Sequence, residues 1–127
     1  MPARPLAVIL VSADLERLYT GLSLLVSAQA AGREVSALAT FGALAPLLDP
    51  ALEARARAPQ ATPDLTAAGR ETFARSLAEL RDLAAGIVHA CAAAAETTGA
   101  DVGGRLAGVK STPRFLRDAG DAELVVV

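Results

Sequence analysis

The chain has 127 residues, 53% of them hydrophobic and 20% charged, which describes one globular domain with a real core rather than a disordered segment. A net charge of −2 and an aromatic content of 3% leave no basic stripe and few stacking rings, so a nucleic-acid binder is excluded. One cysteine rules out an internal disulfide and a Cys-x-x-Cys pair.

The apolar run LAVILV near the N-terminus lasts six residues before Asp14, Glu16 and Arg17. It is too short for a secretory signal and far too short to span a bilayer, so a soluble cytoplasmic protein without a membrane partner is expected. The same run, LAVILVS over 6–12, lacks alternation and suits a strand buried on both faces, as in a parallel sheet covered by helices. Asp14 follows as an N-cap, its carboxylate accepting from first-turn amides. Leu15, Leu18, Leu22 and Leu25, widened by Tyr19 and Val26, form a helical stripe that Gly32 ends. EVSALATF (34–41) is the second strand, and a short helix is expected over 43–48, broken at Asp49-Pro50.

Segment 50–69 carries three prolines and reads as a variable surface connection with at most a short helix over 51–57. Its flanks are too short to fold alone, so it does not divide the chain, and 1–127 is one domain. A helix follows over 70–84, with Phe73, Leu77, Leu80 and Ala84 on one face. AGIVHA (85–90) is the third strand and 91–98 the next helix, closed by Gly99. A short strand near Val109, a helix over 113–119 with Pro113 in its first turn, and the strand ELVVV (123–127) complete the chain. Strands alternating with helices give an α/β class, a three-layer sandwich around a mainly parallel five-stranded sheet.

Ligands of open α/β sheets bind beyond the carboxyl ends of the strands. Three such ends can be named: Ser12-Ala13-Asp14, Thr40-Phe41-Gly42, and Cys91-Ala92. These are the candidate pocket residues, and one sheet edge brings them within reach of a single pocket. Cys91 in the first turn of a helix faces free amides that favour the nucleophilic thiolate. Against this stands the cysteine's ordinary use as a small buried apolar side chain. His89, two residues earlier, shares a strand face with it and reads as a core or interface histidine. No second cysteine or histidine completes a zinc site, so no metal is expected. Asp14 serves as a cap rather than a catalyst, and Lys110 and Arg114 are either pocket cations or solvated side chains. Gly103-Gly104 lacks the Gly-Lys-Ser/Thr ending of a phosphate loop, no G-x-G-x-x-G follows the first strand, and no nucleophile-elbow serine is present; no cofactor is expected.

In the order and spacing of these elements the chain resembles the DsrE/DsrF-like family of small α/β proteins associated with sulfur transfer. The resemblance rests on LAVILVSADLERLYTGLSLLVSAQAAGREVSALATFGAL, on VHACAAAAETTG with its cysteine after the third strand, and on the closing unit GVKSTPRFLRDAGDAELVVV. It implies that Cys91 takes sulfane sulfur as a persulfide and relays it between donor and acceptor proteins, a sulfurtransferase-like activity if the chain is active. It also implies a homo-oligomer, a trimer or hexamer. The alternative is a non-catalytic oligomeric module that binds a small ligand or a partner, with Cys91 as lining. Cys91 is followed by plain alanines, with no polar group placed by the sequence to assist it.

Overall fold

The computed structural model describes residues 3–127. Five strands form one sheet: β1 (Leu6–Leu10), β2 (Val35–Ala39), β3 (Val88–Cys91), β4 (Gly108–Lys110) and β5 (Glu123–Val126). The helices among the described residues are α1 (Leu15–Ala30), α2 (Leu44–Leu48), α3 (Leu52–Ala56), α4 (Ala67–Ala84), α5 (Ala92–Thr98) and α6 (Thr112–Ala119), with a 3-10 turn over Phe41–Ala43 leading into α2. Every strand pair is parallel and the order is β4-β3-β2-β1-β5. The sheet is therefore wholly parallel, and the fold is the α/β class that the alternating elements predict.

Handedness decides which face each helix covers. Crossovers β1 to β2, β2 to β3 and β3 to β4 all advance in one direction, so right-handed connections place α1, α4 and α5 on one face. The connection from β4 to β5 runs back across the sheet and puts α6 on the other face. The register agrees. Leu6, Val8 and Leu10 align with Val35, Ala37 and Ala39 and meet α1, where a Cβ added to Gly21 would collide with Leu10 Cδ2. Ala7, Ile9, Leu38, His89 and Cys91 face the opposite way, toward α6 and its one fully buried residue, Phe115.

Small strand residues explain how tightly the first layer closes. Ala37, Ala39 and Ala90 are fully buried and let α1 and α4 approach the sheet. The two helices are joined by stacked Tyr19 and Phe73 rings, 5.2 Å between centroids. The local signals do what their chemistry requires: Asp14 caps α1 through Glu16 N–H, Thr66 caps α4 through Gly69 N–H, Ser111 caps α6 through Arg114 N–H, and Gly99 ends α5 in the left-handed region. The second layer is thinner. Among the described helices only α6 lies over it, and Val11, Leu116, Leu124 and Val126 are left exposed around the β1/β5 half.

Segment 50–69 departs from the surface connection expected of it. Leu52, Ala56 and Thr62 are buried, and α3 packs along α4. Arg57 fastens the segment by pairing with Glu53 at 3.1 Å and with Glu71 of α4 at 2.9 Å. One helical turn with two buried residues is too short for a period to show. The helix expected over 70–84 begins three residues earlier, because the Thr66 hydroxyl caps it by accepting from Gly69 N–H.

Candidate functional site

The carboxyl ends of β1 and β2 are locked to each other. Both the backbone N–H and the hydroxyl of Thr40 donate to the carbonyl of Leu10, at 2.9 and 3.3 Å. Gly42 crosses the turn after β1 so closely that a Cβ there would stand 3.0 Å from the Val11 oxygen and 3.1 Å from the Ala13 nitrogen. Ser12 Oγ accepts from Asp14 N–H at 3.0 Å, and Asp14 Oδ1 accepts from Glu16 N–H at 2.9 Å. Ser12, Asp14, Thr40 and Gly42 thus build the turns at these two strand ends. Ala13 borders a cavity shared with Leu15, Pro46 and Leu52.

Phe41, between Thr40 and Gly42, is different. Its φ is +24°, a conformation a side-chain-bearing residue adopts at a cost of about 1–3 kcal/mol. The residue is 55% exposed and borders a second cavity of about 310 Å³, lined by the apolar Leu44, Leu48 and Ala100 and by Asp101 and Arg105. Arg105 is held there by a hydrogen bond from Nη1 to the Leu48 carbonyl, 3.0 Å. The sequence contains no signal for Arg105, because the Gly103-Gly104 reversal that brings it back toward α2 leaves no mark on hydrophobic periodicity.

Cys91 lies away from both cavities. It is the last residue of β3 and the N-cap of α5, yet its side chain caps nothing. Its Sγ stands 3.8 Å from Thr112 Oγ1, the first residue of α6, and the residue is 4% exposed. Lys110 is its register partner on β4. Beyond these two residues the chain leaves β3 toward α5 on one face and β4 toward α6 on the other. Adjacent strands whose exits diverge in this way define the topological switch point of an open α/β sheet, the usual place for a site. Thr112 was not singled out by the sequence, although Ser111 before Pro113 is a legible helix start. The expectation of one pocket for all three strand ends is thus replaced by two cavities and a separate, nearly closed thiol.

Charges around the thiol are paired. Lys110 Nζ and Arg114 Nε reach Asp118 Oδ2 at 3.1 and 3.6 Å, and the hydrogen bond from Lys110 holds the Asp118 carboxyl below its ordinary range. Lys110 and Arg114 are thus committed to Asp118. His89 is half-buried beside Gly108; burial first, and then the Lys110 charge, push its imidazole below the usual 6.5, so it is neutral at pH 7. Among the described residues no three His, Cys, Asp or Glu side chains gather in a way that holds a metal ion. No described helix is long and apolar enough to cross a membrane. No family model matches the chain, and no curated protein matches it significantly.

Proposed function

We propose that the chain is a sulfur carrier with Cys91 as its acceptor. The observation that supports this reading is the place of the thiol at the switch point between β3 and β4, with the Thr112 hydroxyl 3.8 Å away. The reaction is thiol exchange. The Cys91 thiolate attacks the outer sulfur of a donor persulfide, the donor's S–S bond breaks, and the donor leaves as its thiolate. An acceptor thiolate then attacks the outer sulfur on Cys91 and restores the Cys91 thiolate, with no net oxidation in either step. Thr112 O–H is placed to donate to the anionic sulfur. A free thiol in this role suits a reducing cytoplasm.

At 4% exposure the thiol is reached through movement of the first turn of α6, and this makes accessibility the quantity to measure. The test is intact-protein mass spectrometry after incubation with sodium polysulfide, with Cys91→Ser as control. A gain of one sulfur atom, reversed by reductant and absent from the serine variant, supports the carrier. A folded protein whose Cys91 neither gains sulfur nor reacts with iodoacetamide ends it.

The same burial favours a second reading, a non-catalytic module that assembles with copies of itself and uses Cys91 as core packing. Its contact surface is the half-covered face, where Val11, Leu116, Leu124 and Val126 expose apolar area. A flat apolar face of this kind is complementary to its own copy in a two-fold dimer, or to a neighbour in a ring. Sedimentation velocity decides it. Assembly that Leu124→Asp abolishes supports the module, and a monomer at every concentration refutes it.

A further inference from the structure

We infer that the cavity under Phe41 is a binding site for a small aromatic carboxylate, independent of Cys91, which does not line it. The cavity lies at the carboxyl end of the sheet, where Phe41 follows β2 and Ala100, Asp101 and Arg105 come from the connection between α5 and β4. Its volume of about 310 Å³ matches a ligand of one or two rings, at the small end of the range that ligand sites occupy.

Packing does not account for Phe41. The residue is more than half exposed, and its backbone sits at a positive φ that glycine would occupy without strain. A fold that keeps an aromatic residue in that conformation, facing water over an apolar hollow, holds a ring in place for something to stack against. Leu44, Leu48 and Ala100 supply the remaining apolar wall. On the same lining, Arg105 forms no ion pair among the described residues, and one of its nitrogens is anchored on the Leu48 carbonyl. An anchored guanidinium keeps its other N–H groups for a planar acceptor, and a carboxylate is the acceptor whose shape fits that fork. Asp101, also on the lining, disfavours a ligand with a second negative charge, which restricts the class to monoanions.

The experiment titrates the full chain with 2-naphthoate and, in parallel, with neutral 2-naphthamide, followed by ligand-observed NMR and calorimetry. Naphthoate is expected to bind at least tenfold more tightly than the amide. Arg105→Gln, which keeps a donor for the Leu48 carbonyl, should remove that preference while leaving amide binding in place. Phe41→Gly should weaken both probes while leaving the melting temperature equal or higher, since it removes the strained residue without opening the core. Absence of binding by either probe at millimolar concentration overturns the inference, as does an unchanged preference in the Arg105 variant. Neither result bears on sulfur uptake at Cys91, so this inference and the carrier reading fail separately.

Discussion

Phe115→Ala tests whether α6 is held to the sheet by one side chain. Phe115 is 1% exposed and is the one fully buried residue of α6, which is the one helix on its face among those described. Truncation removes about 150 Å² of buried apolar surface, worth roughly 3–4 kcal/mol at about 25 cal/mol per Å². The cavity left behind brings the expected loss to about 4–5 kcal/mol, the upper part of the range for Phe→Ala in a core. A domain of this size has about 5–15 kcal/mol in total, so the variant should remain folded but much weakened. Urea unfolding at pH 7 measures the loss as a shift of midpoint at unchanged slope. A second readout is local. Because the first turn of α6 covers Cys91 through Thr112, loosening α6 should speed iodoacetamide labelling of Cys91 well below the unfolding midpoint. A stability loss under about 1.5 kcal/mol would refute the reasoning, since that is less than surface burial alone demands. So would a large loss with no change in labelling, because α6 would then not be what shields the thiol.

Three further outcomes are expected. Gly42→Ala should destabilise by about 1–2 kcal/mol despite a favourable effect on the unfolded chain, because the new Cβ meets backbone atoms that cannot rotate away; thermal unfolding checks the sign. Asp14→Ala should cost about 1 kcal/mol, with Asp14→Asn recovering most of it, as read by urea denaturation. Stability should fall as pH drops below about 6.5: the unfolded His89 takes up a proton there, while the folded imidazole, buried beside Lys110 and Arg114 and only partly offset by Asp118, resists it. The lowered carboxyls of Asp49 and Asp118 act in the same direction only as pH falls below about 3.8, so melting between pH 7 and 5.5 isolates the histidine, and His89→Asn should flatten that slope.

Much of the architecture was legible because its signals are local. The unbroken apolar strands, the Asp14 cap, the glycines at 32 and 99 and the alternation of elements each follow from a few neighbouring residues. A mainly parallel sheet follows from that alternation, because each helix carries the chain back to begin the next strand in the same direction. What stayed hidden depends on contacts between distant segments. Leu52 is buried where α3 packs along α4, and no window of sequence contains that relation. Cys91 was legible as a strand-end residue, but its cover is Thr112, twenty-one residues later, so exposure could not be read. Phe41 and Arg105 are brought to one cavity by two turns, one of them in a backbone conformation that composition does not reveal. The strand ends were therefore legible along the chain, while the way they group in space was not.

The position of β5 has a kinetic consequence. β1 pairs with β2 within its first forty residues of chain, but its other edge is filled by β5, with Leu6 opposite Glu123 and Arg4 Nε donating to the Asp121 carbonyl across 117 residues of sequence. Closing that loop is the most entropically demanding step of folding, and it comes after β1 to β4 can already pair. Until then β1 presents an open apolar edge, a template for the strand of another chain. Strand exchange is thus the characteristic hazard of this topology: β5 of one molecule can complete the sheet of another, and refolding at high concentration is where such exchanged dimers would accumulate.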